Sequence, residues 1–166
     1  VRLLRLDPIE DARGSFVELF RQEAFPRPFV QANLSRSRPG VLRGMHYHLT
    51  QADLWIPVEG RATAGLLDLR HGSPARGRGV GVDLRPGSAL YLPPGVAHGY
   101  CVTDAFVLLY LVDRAYDGSD EHGFDPRDPG LGVVWPVADP ILSERDRTAP
   151  GLASALASAE LPGWPG

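Results

Sequence analysis

Glycine and proline punctuate this chain from end to end, 19 and 16 of them in 166 residues, spread out rather than gathered into a linker. Such punctuation breaks helices and sets turns. Between the turns lie short runs in which apolar and polar side chains alternate, the period of a strand with one buried face. The pattern predicts an all-β sandwich or barrel, and the economical form is a barrel open at one mouth. The length fits a single domain, 1–166, with N-terminal strands over 1–35, the barrel over 36–136 and a C-terminal segment over 137–166.

In chain order, residues 1–6 predict an edge strand, 15–20 a strand after an Arg-Gly turn, and 21–25 one helical turn. Over 29–35 (FVQANLS), Phe29, Gln31, Asn33 and Ser35 share a face; turned inward, the polar ones would line a cavity rather than fill a core. Further strands are expected over 41–48, 53–58, 62–69, 79–84, 88–92 and 102–112, with Pro57 placing its strand at an edge or a bulge. Residues 116–132 read as loop, 133–136 as a last short strand, and 151–161 (GLASALASAEL) as a short C-terminal helix.

Composition narrows the function. A net charge of -3 gives no general pull toward nucleic acid or an anionic membrane. Cys101 is the only cysteine, so an intrachain disulfide is impossible and a reducing, cytoplasmic setting is expected. The opening VRLLRLDPIEDARG has no apolar core of signal-peptide length, and the longest apolar run, Phe106–Val112, is too short to cross a bilayer. All 17 basic side chains are Arg. With no lysine, the chain has no side-chain amine for a Schiff base or for an ammonium beside a reacting group.

Two stretches carry the chemistry. The first, 40–60 (GVLRGMHYHLTQADLWIPVEG), holds His46 and His48 on one side of a strand and Asp53 five residues further on. The second, 87–98 (GSALYLPPGVAH), reads as a strand, a Pro-Pro-Gly turn and then His98. Three imidazoles and a carboxylate meeting inside a small barrel make either a metal site or an acid–base site, and the residues alone leave both open. Other candidates have plain readings when taken singly. Arg13 and Arg43, beside glycines, read as solvated charges, Phe16 and Trp135 as core aromatics, and Asp146 as a cap or a surface carboxylate. His71 and His122 read as exposed, Cys101 as a small buried hydrophobe.

The spacing of the two stretches resembles the two-part signature of the cupin superfamily, with Asp53 where a Glu is usual and Val102 where an Asn usually stands. That resemblance implies a double-stranded β-helix, the jelly-roll cupin barrel, in which such residues often hold one metal ion. A closer resemblance, over roughly 7–150, is to the dTDP-4-dehydrorhamnose 3,5-epimerase family. It is carried by DARGSFVELF, FVQANLSRSRPGVLRGMHY, LDLRHGSPARG, LPPGVAHGY, Tyr110 and Tyr116 with Glu121, VVWP and LSERD. It implies a metal-free enzyme that binds a dTDP-linked 4-keto-6-deoxy sugar and inverts carbon centres beside the ketone. By position, His46 resembles the general base, Asp146 its orienting carboxylate with His98 nearby, and Tyr110 the acid on the opposite face. Arg13 and Arg43 resemble the diphosphate binders. Phe16, Glu18, Gln31, Asn33 and Tyr116 resemble the residues that hold or shape the nucleotide pocket, with Glu121 beside Tyr116. A homodimer is also implied, since the family's N-terminal strand usually helps build the neighbour's site.

The sequence departs from that pattern in two places. The family's catalytic lysine falls on Asp53, and His48 stands where a Gln or small residue is usual. A carboxylate beside a developing enolate costs about 4 kcal/mol at 4 Å and an effective dielectric of 20, roughly a thousandfold in rate. Both changes restore ligand positions of the metal-binding signature, so His46, His48, Asp53 and His98 form a three-His, one-carboxylate set suited to Fe, Mn, Ni or Zn. Coordination would occupy His46 and leave proton movement to Tyr110, with the metal polarising the ketone. Two further alternatives are a metal-dependent cupin oxygenase, isomerase or lyase, and a sugar-nucleotide-binding cupin without activity.

Overall fold

The alternating runs become strands in the computed structural model, which describes residues 1–166. They are β1 (Arg2–Arg5), β2 (Ile9–Asp11), β3 (Gly14–Phe16), β4 (Gln31–Ser37), β5 (Leu42–Tyr47), β6 (Asp53–Glu59), β7 (Ala62–Asp68), β8 (Gly79–Leu84), β9 (Ser88–Leu92), β10 (Val96–Cys101), β11 (Phe106–Val112) and β12 (His122–Gly123). Two helices, α1 (Glu144–Arg147) and α2 (Leu152–Leu156), follow. One five-stranded antiparallel sheet runs β1-β9-β6-β11-β4 and the other β12-β5-β10-β7-β8, with β2 and β3 forming a separate hairpin. The sheets face each other as the double-stranded β-helix that the sequence implied.

The central strands of each sheet are covered on both faces, which explains why β6 and β10 are buried along most of their length instead of alternating with solvent. Inward side chains from both sheets, among them Trp55, Leu66, Leu90, Tyr100, Phe106 and Leu108, fill the space between them. Leu54, Ile56 and Tyr91 point outward from the first sheet and meet Leu19, Phe20, Phe25 and Phe29 of the N-terminal segment. Met45, Tyr47 and Leu67 on the second sheet's outer face lie under Phe124, Leu131, Leu152 and Leu161.

Several boundaries differ from the sequence reading. The run over 15–20 stops as a strand at Phe16, because Leu19 and Phe20 turn onto the first sheet's outer face, where Phe20 stacks on Phe25 at 5.7 Å. Phe29 joins that cluster and so does not share the inward face of Gln31, Asn33 and Ser35. The helical turn is a short 3-10 turn, Gln22–Ala24. β10 is a separate strand where only a turn and a histidine were read, and β11 begins at Phe106 rather than at 102. Residues 133–136 form no strand; Trp135 instead packs over Gly65, where a Cβ would lie 2.5 Å from its ring, and donates its indole N–H to the Pro126 carbonyl. Pro57 sits at a bulge in a central strand, opposite the register shift between Val107 and Leu108.

Candidate active site

A cavity of about 640 Å³ opens between the sheets. β4 gives it Gln31, Asn33 and Ser35, and β11 gives Leu108, Tyr110 and Val112, all from the first sheet. His46 on β5 and His98 and Tyr100 on β10 line it from the second sheet. Trp55, Tyr100 and Leu108 also belong to the packed interior, so they form the cavity's apolar floor. The strand period does this sorting: Met45 and Tyr47 go outward to the covering segment while His46 and His48 go inward.

His98 and His46 are register partners across β10 and β5. The strands approach closely there because Gly44 has φ +117° and no side chain; a Cβ would lie 2.7 Å from the Gly99 backbone. Asp146 reaches His46 from the far end of the chain. Residue 141 bridges residue 41, and the Ser143 hydroxyl caps α1 by accepting the Asp146 backbone N–H, which fixes the turn that aims the Asp146 carboxylate inward. His46 Nε2 lies 2.7 Å from Asp146 Oδ1. The imidazole therefore donates Nε2–H to the carboxylate, leaving Nδ1 as the basic nitrogen. Burial works to raise the Asp146 carboxyl, but the hydrogen bond and charge of His46, with Ser143 and the Gly44 N–H, outweigh it and hold it below its ordinary value.

Tyr110 stands on the other sheet. Burial, reinforced by the negative charge of Asp53, pushes its phenol up and keeps it protonated. His46 and Tyr110 thus line the cavity from opposite sheets.

His48, Asp53 and His98 form a second, deeper group whose ligand atoms lie within 4.8 Å of one another. His46 is not part of it. The four-residue set expected from spacing is corrected to three, because Asp146 holds the His46 ring. Burial pushes His98 down to about 4, the Asp53 carboxylate opposing this only in part. The segment carrying His48 and Gln51 is clamped by Asp120. Its carboxylate accepts the backbone N–H groups of Leu49, Thr50 and Gln51 and the Thr50 hydroxyl, while its carbonyl accepts from His48 Nδ1. Asp120, Gln51 and Tyr100 escaped the sequence reading. For Asp120, a carboxylate in a loop rich in Asp and Gly carries no spacing signal.

Around the wall, Tyr116 donates its backbone N–H to Gln31 Oε1 and its hydroxyl to Glu121, which also pairs with Arg145 at 2.5 Å. Arg43 lines the cavity and donates to the Ser37 hydroxyl while remaining exposed. Arg145, a second cation there, was not anticipated. Arg13, Phe16 and Glu18 lie elsewhere. Arg13 is exposed and paired with Asp11, Glu18 is paired with Arg21, and Phe16 is 66% exposed at the end of the β2–β3 hairpin. Of the remaining histidines, His71 is exposed and His122 is half-buried, stacked on Tyr47.

A jelly-roll barrel with a His–Asp dyad and a protonated tyrosine in a sugar-sized cavity has the makings of a carbohydrate-processing cupin. The family model for dTDP-4-dehydrorhamnose 3,5-epimerase matches residues 1–154. The chain belongs to that family, and with it to the isomerases. It is 38% identical over 164 residues to the dTDP-4-dehydrorhamnose 3-epimerase of Streptomyces niveus, covering 92% of this chain and 79% of that protein. Among solved structures it is similar to a 4-keto-6-deoxy sugar epimerase from the novobiocin gene cluster of Streptomyces spheroides, with TM-score 0.89 and 36% identity over 98% of this chain and 87% of that one. It also resembles the Legionella pneumophila 3,5-epimerase in complex with dTDP-4-keto-L-rhamnose, with TM-score 0.88 and 32% identity over 99% and 93% of the two chains.

Proposed function

We propose that this chain epimerises a dTDP-linked 4-keto-6-deoxy sugar at carbon 3, carbon 5 or both. The observation that carries the reading is the oriented His46–Asp146 dyad on one sheet with protonated Tyr110 on the other. His46 Nδ1 removes the proton beside the ketone and the C–H electron pair moves into an enolate. Tyr110 then gives its proton to the opposite face of the same carbon, inverting it, and solvent returns the His46 proton to the tyrosinate. Asp146 steadies the imidazolium formed midway.

Arg43 and Arg145 supply positive charge for the diphosphate. Gln31, Asn33, Tyr116 and Glu121 form a hydrogen-bonded wall for the nucleotide side. In this reading Arg13, Phe16 and Glu18 act in the neighbouring cavity of a homodimer. The hairpin exposes Ile9 and Phe16 to solvent, and the outer face of edge strand β4 exposes Leu34, which favours an arrangement that covers them. One buried thiol fits a reducing, cytoplasmic setting.

Incubation with dTDP-4-keto-6-deoxyglucose in deuterium oxide, followed by NMR, tests the proposal. Deuterium at carbon 3 or 5 together with an inverted product supports it. A bound sugar that gains no deuterium overturns it.

A further inference from the structure

The group His48, Asp53 and His98 lines the same cavity, outside the His46–Asp146 dyad. All three residues are more than nine-tenths buried, at 8%, 4% and 5% exposure. The tautomers of both imidazoles are set from behind. His48 donates Nδ1–H to the Asp120 carbonyl at 2.5 Å, and His98 donates Nδ1–H to the Val96 carbonyl at 2.9 Å. Each ring therefore turns an unprotonated Nε2 forward. His48 Nε2 lies 3.9 Å from Asp53 Oδ1 and His98 Nε2 lies 3.6 Å from Asp53 Oδ2, too far for hydrogen bonds.

Three acceptors thus converge on one space, and the only donor among them is Gln51. Its amide nitrogen is 2.9 Å from Asp53 Oδ1 and 3.2 Å from His48 Nε2. His98 Nε2 makes no hydrogen bond within the chain and is open to the cavity rather than sealed off from it. Lone pairs that face one another repel, and a cation that joins them removes that repulsion. Neighbouring ligand atoms around one ion with bonds of about 2.1 Å stand roughly 3.0–3.4 Å apart, and the 3.6 and 3.9 Å separations from the two Asp53 oxygens close to that with small side-chain rotations. Two neutral imidazoles held by backbone carbonyls, with one carboxylate and open positions toward a cavity, are the donor set of a first-row divalent ion.

We propose that His48, Asp53 and His98 bind one first-row divalent cation, of the Zn(II) or Fe(II) kind, in the wall of the sugar cavity. The Gln51 amide stands in the cup and moves aside as the ion enters. Because His46 is held by Asp146, the ion and the catalytic base do not compete for one side chain. When bound, the ion supplies positive charge on a floor that has a carboxylate and no lysine. The site stands on its own geometry and does not require the epimerase reading.

Co(II) titration of tag-free, chelator-stripped protein, with no sugar nucleotide present, tests the site by visible absorption, and Zn(II) calorimetry tests it independently. The expected result is one saturable equivalent per chain. Asp53→Asn and His48→Gln should each weaken Co(II) binding by at least about a hundredfold, more than loss of an outer hydrogen bond alone costs. His71→Gln, on the surface, should bind like the wild type. Absence of a saturable equivalent in the wild-type protein overturns the proposal whatever the variants do, and so does undiminished affinity in both cup variants. Deuterium exchange in chelator is read separately, so failure here leaves the epimerase reading standing.

Discussion

Replacing Asp146 by Asn is the sharpest test of the dyad. The change keeps size and keeps the backbone N–H that bonds to Ser143, so α1 retains its cap. What it removes is the negative charge on the acceptor 2.7 Å from His46 Nε2. An amide that turns its NH2 toward that nitrogen reverses the tautomer and leaves the proton on Nδ1, where the base must be free. Loss of a charge-assisted hydrogen bond alone costs about 1.5–3 kcal/mol, or roughly 10- to 150-fold in rate. A reversed imidazole tautomer has cost about 10⁴-fold in a hydrolase triad. The expected fall in kcat is therefore about 10²- to 10⁴-fold, with KM changed by no more than about threefold because the dyad acts in the transition state. Deuterium wash-in at carbons 3 and 5, followed by NMR under saturating sugar nucleotide, reads it directly. A variant that exchanges within about threefold of the wild type would refute the dyad as the engine of proton removal.

Two further outcomes follow from the geometry. Tyr110→Phe should leave deuterium wash-in largely intact while inversion falls about 10²- to 10⁴-fold, since base and acid act from different sheets; equal loss of both would sink the division of labour. Asp120→Ala should lower stability by about 2 kcal/mol, roughly 4–8 °C in Tm, by releasing the 49–51 clamp. Burial opposes but hydrogen bonds from Thr50 and from the backbone of Leu49, Thr50 and Gln51 hold the Asp120 carboxyl below its ordinary 3.8. A depressed carboxylate stabilises the fold above that value and loses the contribution as pH falls through the folded one, so the gap between wild type and variant should shrink at pH below about 3.8. A gap of equal size at acid pH, read by calorimetry, would contradict this.

Much of the site was legible because strand period is a strong constraint. Two-residue spacing placed His46 and His48 inward, and the polar side chains of Gln31, Asn33 and Ser35 marked a cavity wall rather than a core. The period failed where both faces of a strand are buried. β10 offers little alternation, and the Pro-Pro-Gly turn before it hid its start. Side-chain partnership was invisible for another reason. His46 and His48 share a side, but only the docking of residue 146, one hundred positions away, decides that the first belongs to a dyad and the second to a cup. Likewise the DARGSF stretch, read as a binding motif from resemblance alone, stands outside the cavity its own chain encloses.

The parallel bridge between Val41 and Ile141 makes the reaction centre a late event in the life of the chain. Every wall of the sugar chamber named above through Glu121 is synthesised before the carboxylate that primes His46. A molecule whose last turns have not settled onto the second sheet would hold a vessel for its substrate with the base unset. If His46 is the base, proton abstraction requires that the segment around residue 146 has docked on the second sheet.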